Sequence, residues 1–397
     1  MSSLDPVAVA GAGIGGLAAA LALGRSGASV HVYEKASDFS EAGAGIGLGP
    51  NAVRVLQQWG VNTALQAQAC TPQGLIARRA DDGRIAGQLP MGQSFIEKYG
   101  APYLTVLRAD LHRTLLDAVK KHEAITLHLN HGVSGINLHA KGLELEFDGI
   151  HQRHQAQALI GADGLHSNVR ALMFDRDGPS ASGHWAYRAL LPMADAPKFF
   201  QQMHIGIWMG KRLHVVHYPV RGGDFLNLVV LIESNGPASQ AGWDVSRSTE
   251  QITLDLKQAM HTSCHALNEL IDAAKGWRAW CLFDRPPLWH AGQMAKDRVA
   301  LLGDAAHPML PYLAQGAGMA IEDAAALASF WQRTGKTASE NLLDYANARW
   351  SRVSRVQQRS RRNGRIFHAD GFLRMARDTA LKWRGEQLMD LPWLYAA

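Results

Sequence analysis

Three glycines and one acid near the start of the chain have the spacing of a dinucleotide-binding turn. Gly11, Gly13 and Gly16 form a G-x-G-x-x-G pattern, and Glu34 follows Gly16 by 18 residues. The first glycine permits the tight turn, the second lets a pyrophosphate approach the backbone, and the third lets the helix pack against the strand. Free N–H groups at the helix start favour the anion. The pattern predicts an ADP-ribose site for NAD or FAD, and the acid disfavours the 2′-phosphate of NADP.

Two further segments place an aspartate beside a glycine after an apolar run. The pair Asp163-Gly164 follows one such run, and the pair Gly303-Asp304 follows the predicted strand Arg298–Leu302. An aspartate at the carboxyl end of a parallel strand is well placed to bind a sugar or ribityl hydroxyl. Each pair could equally form an Asx turn without a ligand, so the residues alone leave both interpretations open.

A histidine and a tyrosine share one face of the predicted strand Leu213–Tyr218. Because side chains alternate along a strand, His214 and Tyr218 point one way and His217 points the other. A neutral histidine is a suitable general base near pH 7. The chain contains 18 histidines, however, and any one of them is more often a surface or packing residue.

Other clusters of polar residues predict neither a metal site nor a disulfide. His151 and His154 form an H-x-x-H pattern with no further ligand suggested nearby, and we interpret them as solvated residues at a strand edge. Three cysteines, Cys70, Cys264 and Cys281, lie too far apart for a zinc pattern and make no even disulfide set. This usage is typical of a reduced, cytoplasmic protein.

A row of arginines on the predicted helix Leu342–Arg362 forms a basic stripe. The arginines recur every three or four residues, at Arg349, Arg352, Arg355, Arg359 and Arg362. We interpret the stripe as a solvated face that could attract an anionic nucleotide or acid. The net charge of +5 is too small to predict nucleic-acid binding.

The elements that must position these residues alternate between helix and strand. A strand at Val7–Ala10, a helix at Leu17–Arg25 and a strand at Ser29–Tyr33 form a right-handed βαβ unit. The predicted strands and helices farther along are Trp185–Leu191, Ile205–Met209, Leu213–Tyr218 and Phe225–Ile232, then Thr249–Leu270, Gly318–Trp331 and Leu342–Arg362. A chain of 397 residues predicts two or three domains. The uncharged segment Val7–Gly24 is rich in glycine and alanine, which favours a buried strand–turn–helix over a membrane span.

In this order the motifs resemble the class A flavoprotein monooxygenases, the single-component FAD-dependent aromatic hydroxylases. Further matches are Gly45–Asn51, Leu107-Arg108 and Leu313–Asp323, and the resemblance is strongest to the salicylate hydroxylase and 3-hydroxybenzoate 6-hydroxylase branch. It implies an α/β fold with a Rossmann-like FAD-binding domain of the p-hydroxybenzoate hydroxylase type. That domain would comprise residues 1–180 and 282–340, with an inserted β-sheet substrate domain at 181–281 and C-terminal helices at 341–397.

The resemblance also implies the roles of individual residues. Residues expected at noncovalently bound FAD are Gly11, Gly13, Ile14, Gly15, Gly16, Glu34, Lys35, Gly45, Ile46, Arg108, Val133, Asp163, Gly164, Asp304, Pro308, Gly316, Ala317 and Gly318. Trp185, Tyr187 and Pro311 are expected to bind the substrate, and His214 with Tyr218 to deprotonate it. We expect no metal. No arginine is clearly placed to bind a carboxylate, since Arg188 alternates away from the face of Trp185 and Tyr187.

The implied reaction is hydroxylation of a small hydroxylated aromatic acid by a flavin C4a-hydroperoxide, with NADH or NADPH and O2 as co-substrates. Pro311-Tyr312 resembles the salicylate-type enzymes; hydroxylation of 3-hydroxybenzoate or of a hydroxypyridine carboxylate is the alternative. A flavin oxidase or a flavin-binding protein without hydroxylase activity is the alternative of another class. The resemblance implies no nucleic-acid or membrane partner, and a homodimer is compatible with it.

Overall fold

The protein is described here from a computed structural model, which covers residues 5–39, 44–175, 177–233, 248–333 and 335–396. The strands are β1 (Val7–Ala10), β2 (Val30–Tyr33), β3 (Gly45–Leu48), β4 (Gly74–Arg79), β5 (Ile85–Pro90), β6 (Leu104–Leu107), β7 (Ile125–His128), β8 (Val133–Leu138), β9 (Leu143–Phe147), β10 (Ile150–Ala156), β11 (Ala158–Gly161), β12 (Ser180–Pro192), β13 (His204–Gly210), β14 (Leu213–Val220), β15 (Phe225–Glu233), β16 (Arg278–Asp284), β17 (Ala295–Lys296) and β18 (Val299–Leu301). The helices are α1 (Ile14–Arg25), α2 (Pro50–Gln58), α3 (Asn62–Gln66), α4 (Gln93–Tyr99), α5 (Arg108–Lys120), α6 (Asn168–Met173), α7 (Thr249–Met260), α8 (His265–Ala273), α9 (Gly316–Trp331), α10 (Ala338–Phe367), α11 (Gly371–Met389) and α12 (Pro392–Tyr395).

A six-stranded sheet in the order β17-β18-β11-β1-β2-β7 forms the first layer. Its strands are parallel except β17, and β1, β11 and β18 are completely buried, which explains their uninterrupted apolar sequences. Because β18 pairs with β11 and β11 pairs with β1, segments that lie far apart in the chain join in one sheet. The carboxyl ends of β1, β11 and β18 therefore meet at one edge, where Gly11, Asp163 and Asp304 follow their strands.

A seven-stranded sheet in the order β16-β12-β15-β14-β13-β4-β5 forms the second layer. It includes the four strands predicted between residues 185 and 232, and it adds β4 and β5 from the first quarter of the chain. The predicted insert at 181–281 therefore does not contain all the strands of this sheet. Helices α7 and α8 cover one face of this sheet with an apolar cluster, which leaves the opposite face for the neighbouring elements.

Local structure departs from the sequence prediction at two places. The predicted helix Thr249–Leu270 is two helices, α7 and α8, with Cys264 as the N-cap of α8. The glycine-dense segment 43–50, whose composition predicts a loop, contains strand β3, which pairs with β6; Gly43 lies outside the described residues. Among the described helices, none has the length and apolar composition needed to cross a membrane.

Candidate active site

The turn between β1 and α1 can be built only with glycine at two of its positions. Gly11 has a φ of +95°, and a Cβ there would lie 2.6 Å from the carbonyl oxygen of Ala162. A Cβ on Gly16 would lie 1.9 Å from the carbonyl oxygen of Gly11. The turn is thus wedged between its own helix and the end of β11, as the first and third glycines of the predicted pattern require.

Gly13 differs from these two glycines because its surroundings are open. A Cβ at Gly13 would meet no heavy atom within 4 Å, and α1 begins there without a side-chain cap. Glu34 is held close by, accepting hydrogen bonds from the backbone N–H of Ala12 at 2.7 Å and of Ala36 at 2.9 Å. An open, uncapped helix start beside a fixed carboxylate fits a pyrophosphate and a ribose.

Alanine substitutions separate the two glycine roles. We expect Gly16→Ala to lower the unfolding temperature of the FAD-free protein, because the added methyl meets backbone and such overpacking typically costs about 1–3 kcal/mol. Gly13→Ala should leave that temperature unchanged and weaken FAD binding by about tenfold or more, a loss of roughly 1.4 kcal/mol. Thermal unfolding and FAD titration test both. FAD affinity equal to wild type in Gly13→Ala would place the pyrophosphate elsewhere.

A second helix start points at the same region. Helix α9 also begins without a side-chain cap, and a Cβ on Gly316 would meet nothing within 4 Å. Asp304 lies just before this loop. Its side chain keeps exposed surface, yet burial raises its pKa, while His307 and Arg108 oppose that rise. A carboxylate so deep in the protein and still accessible opens onto a cleft, as expected for a group that binds a cofactor hydroxyl.

The remaining predicted cofactor residues lie on several different elements. Ile14 and Gly15 form the first turn of α1, Lys35 follows Glu34, Gly45 and Ile46 lie in β3, Arg108 begins α5, Val133 begins β8, Gly164 has a φ of +83°, Pro308 lies in the loop after β18, and Ala317 and Gly318 belong to the first turn of α9. Asp163 has a further, local role: its carboxylate accepts hydrogen bonds from the Ser167 hydroxyl and from the Val169 N–H.

His214 and Tyr218 lie on the face of the second sheet that α7 and α8 leave uncovered. His214 is 2% exposed, and its Nδ1 lies 2.7 Å from Nε2 of His368. Burial, with the nearby imidazoles of His368 and His184, holds the pKa of His214 well below its ordinary value, so the ring is neutral at pH 7. The Tyr218 ring lies against Gly45, where an added Cβ would be 2.8 Å from it. As predicted, His217 points to the other face, where it packs on Phe200 and Trp208.

The prediction that Trp185 and Tyr187 line the substrate pocket is wrong. Tyr187 pairs across the sheet with Val230, and Val230 pairs with Val215, which alternates away from His214. The Tyr187 hydroxyl donates to Asp255 of α7 at 2.7 Å. Both aromatic side chains belong to the core beneath α7 and α8. The aromatic alternation was a packing signal, because that face needs large apolar side chains to bury the two helices.

Arg188, which the sequence did not place as a carboxylate-binding residue, projects from the face of the sheet opposite to Tyr187. It pairs with Val229, which pairs with Val216, so Arg188 and His214 project from the same side of the sheet. Burial lowers the pKa of its guanidinium, and the charge of Arg108 lowers it further. Its guanidinium carbon lies 5.3 Å from the centre of the Trp280 ring, its Nε is buried without a partner, and it forms no hydrogen bond or ion pair to the described residues.

Comparison with known families identifies the family to which the chain belongs. The family model described as "FAD binding domain" matches residues 5–360. The chain belongs to this FAD-binding family. It is 37% identical over 392 residues to a 3-hydroxybenzoate 6-hydroxylase of Polaromonas naphthalenivorans, covering 98% of this chain and 95% of the relative. It is 36% identical over 395 residues to the 3-amino-4-hydroxybenzoate 2-monooxygenase PtnB3 of Streptomyces platensis, covering 98% and 95%.

The fold of this flavoprotein also matches a solved substrate complex of a salicylate hydroxylase. The TM-score is 0.83 at 26% identity, with 100% of this chain and 96% of that chain covered. The predicted p-hydroxybenzoate hydroxylase-like fold, the FAD cofactor and the class of FAD-dependent aromatic monooxygenases are thereby confirmed. The open glycines Gly13 and Gly316, the two uncapped helix starts, and the carboxylates of Glu34 and Asp304 have the chemistry that would hold the phosphates and hydroxyls of FAD.

The basic stripe of the flavoprotein is partly internal, which corrects its interpretation as a solvated face. Arg349 is buried and donates to Asp323 at 2.7 Å and to Glu322 at 2.8 Å. Arg352 donates to Glu322 as well, at 2.7 Å. Asp323 in turn accepts from the backbone N–H of Gly303 at 3.2 Å. Arg349 therefore positions the turn that presents Asp304, because it holds the carboxylate of Asp323, which accepts a hydrogen bond from that turn.

His154 also differs from its prediction. It is half-buried, and its Nδ1 lies 2.9 Å from the hydroxyl of Tyr33. His31 and His128 of neighbouring strands lie in the same cluster, and burial is the largest of the effects that lower the pKa of each of the three imidazoles. His151 is exposed, as expected of a residue at a strand edge.

Proposed function

We propose that this flavoprotein hydroxylates the ring of a small hydroxylated aromatic acid, consuming NADH or NADPH and O2. One observation carries the proposal: a neutral imidazole, His214, and the half-buried guanidinium of Arg188, which pairs with no acid among the described residues, project from the same face of the sheet. A phenol needs a base and a carboxylate needs a cation, so this pair matches a hydroxybenzoate. Two relatives are named as enzymes that act on hydroxybenzoates, which supports the same substrate class.

Bound FAD would be reduced by NAD(P)H and would activate O2; the chain's own residues bind and prepare the substrate. His214 accepts the phenolic proton at Nε2, since its Nδ1 is engaged with His368. Tyr218, whose pKa is raised by burial, stays protonated and donates a hydrogen bond to the substrate. Deprotonation increases the electron density of the ring at positions ortho and para to the oxygen, where it attacks. Pro311 remains a predicted substrate contact, at the start of the turn that contains Tyr312.

Arg188 would bind the substrate carboxylate through its planar fork of N–H donors. Arginine matches a carboxylate bidentately, and desolvation strengthens such a pair. Arg188 lies near enough to Tyr218 and Arg108 for both groups to affect the pKa of its guanidinium. Leaving this guanidinium without an anion is costly, and the acid substrate offsets that cost when it binds.

The test compares acid and amide substrates in wild type and in Arg188→Met. With 3-hydroxybenzoate or salicylate, we expect wild type to couple NAD(P)H oxidation to a hydroxylated product identified by mass spectrometry. Arg188→Met should raise KM for the acid by about 10- to 100-fold, the equivalent of a charged hydrogen bond of roughly 1.5–3 kcal/mol, and should leave KM for 3-hydroxybenzamide unchanged.

Arg84→Met is the matched control, because its side chain is 81% exposed at the far edge of the sheet. It should behave as wild type with every substrate. Peroxide formation without hydroxylated product for every acid tested would instead indicate a flavin oxidase. Equal KM values for acid and amide in wild type would contradict the carboxylate role of Arg188.

A further inference from the structure

A buried histidine beyond the end of α10 connects His214 to a carboxylate near the surface. His368 follows Phe367, is 4% exposed, and is the C-cap residue of α10. Its Nε2 lies 2.7 Å from Nδ1 of His214, and its Nδ1 lies 2.8 Å from Oε1 of Glu233. The Glu233 side chain is 30% exposed and lies 3.6 Å from the guanidinium of Arg212. The three groups thus form a continuous line from the buried pocket to the solvent.

The carboxylate determines which nitrogen carries the proton in both rings. A hydrogen bond from His368 is the largest of the effects that lower the pKa of Glu233, so this carboxylate is ionised and can only accept. His368 must therefore carry its proton on Nδ1, which leaves Nε2 as an acceptor in the neutral ring. His214 then donates from Nδ1, and its Nε2 is left bare. A bare Nε2 is the form that can take a proton from a phenol.

We propose that His214, His368 and Glu233 form a proton relay that carries the substrate's phenolic proton out of the pocket. This inference rests on the proposed function, because it requires His214 to be the base. The phenolic O–H bond breaks as an N–H bond forms at Nε2 of His214. The Nδ1 proton of His214 passes to Nε2 of His368, and the Nδ1 proton of His368 passes to Glu233. One proton leaves the phenol, one reaches the carboxylate, and both rings end neutral.

The surroundings of His214 explain why a relay is needed. Protonating this ring alone would place an imidazolium in a buried site next to two other imidazoles, which is costly. Passing the proton onward avoids any lasting charge on either histidine. The negative charge moves in the opposite direction, from Glu233 to the bound phenolate, where Arg188 and the phenol site can stabilise it.

Other titratable groups contact the relay from the side. His184 of β12 stacks on His368 with ring centres 5.3 Å apart, and it hydrogen-bonds to the hydroxyl of Tyr312. Burial and His368 lower the pKa of His184, and burial raises that of Tyr312, so both groups stay neutral near pH 7. Arg212 is the charged neighbour of Glu233. Among the described residues, Glu233 is therefore the group in contact with His368 that can take up a proton and remain near water.

The experiment follows proton transfer directly, in oxidised holoenzyme without turnover. A nitro-substituted hydroxybenzoate, whose phenolate absorbs visible light, is bound to the holoenzyme, and phenolate formation is recorded after a stopped-flow jump to higher pH. We expect Glu233→Gln and His368→Asn to slow this phase by at least about tenfold, with probe affinity and the rate of flavin reduction within twofold of wild type. Formate should restore part of the rate in Glu233→Ala, because a small acid can occupy the space of the lost carboxylate.

Asp370→Asn is the control, since it makes the same carboxylate-to-amide change two residues from His368 on an exposed side chain paired with Lys211. It should match wild type. A wild-type rate of phenolate formation in Glu233→Gln would overturn the relay. If phenolate formation were nevertheless slow in His214→Asn, the proposed function would stand. Wild-type phenolate formation and hydroxylation in His214→Asn would overturn both. A stoichiometric metal ion bound by His184, Glu233 and His368 in the purified enzyme would also overturn the relay, because these groups would then be ligands.

Discussion

Replacing His214 by asparagine is expected to slow hydroxylation by about 10²–10⁴-fold, the usual contribution of a general base. Transfer of hydride from NAD(P)H needs no phenolate, so reduction of the flavin should continue near its wild-type rate. The variant would then consume NAD(P)H and O2 without hydroxylating the substrate and release hydrogen peroxide. Rapid-reaction spectroscopy of flavin reduction, together with product and peroxide yields, measures both steps separately.

His217→Asn provides the internal comparison, because it alters the same residue type three positions along the same strand. His217 projects to the opposite face and packs against Phe200 and Trp208. Its replacement should reduce stability modestly and leave coupling intact. Loss of hydroxylation in His217→Asn, with full coupling in His214→Asn, would show that the base lies on the opposite face of the strand from His214. Full activity in both variants would mean that the phenol is activated by another group.

An Arg349→Met variant should lose about 3–5 kcal/mol of stability, because it removes the guanidinium that pairs with the buried carboxylate of Asp323, while Glu322 keeps Arg352. The same change should weaken FAD binding, since Asp323 also accepts from Gly303 and so supports the turn that carries Asp304. Chemical denaturation of the holoenzyme and FAD titration measure the two effects. Arg362→Met, an exposed arginine of the same helix, should change neither.

The Arg349 site also predicts how stability responds to acid. Although burial raises it, the pKa of Asp323 is lowered to about 2 by His307 and Arg349. A depressed carboxyl pKa adds stability above the unfolded value of about 4, and this stability is lost as the pH falls from there towards 2. Wild type should therefore lose more stability than Arg349→Met over that interval. Parallel acid-unfolding curves for the two proteins would contradict this role of the pair.

The parts of the site that were predictable are those that one short segment specifies. The turn from β1 to α1 needs glycine at Gly11 and Gly16 for reasons of local geometry, so the residues themselves carry the signal. Alternation along β14 likewise separated His214 from His217 correctly. The position of Asp304 at the same sheet edge was expected from its place after an apolar strand, and the parallel pairing of β18 with β11 confirms it.

The parts that were missed depend on what covers each face of a sheet. Alternation along β12 divides its residues into two sets, but nothing within the strand shows that α7 and α8 cover the set containing Tyr187. Arg188 was consequently set aside, although an arginine in a buried strand is costly without a partner and is itself a signal. His368 lies 154 residues from His214 in the chain, and only the packing of α10 brings the two rings together.

The carbonyl groups of α12 that accept hydrogen bonds from half-buried arginines have a consequence for recombining members of this family. Arg54 donates to the carbonyl of Tyr395 at 2.7 Å, and Arg352 donates to those of Trp393 and Leu394. The match to the family model ends at residue 360, ahead of all three acceptors and of His368. A chimera that exchanges only residues 5–360 would combine one parent's arginines with another parent's C-terminal segment. Crossovers placed after α12 would keep the arginines and their carbonyl acceptors from the same parent. The unit that can be exchanged between relatives is therefore longer than the segment that the family model matches.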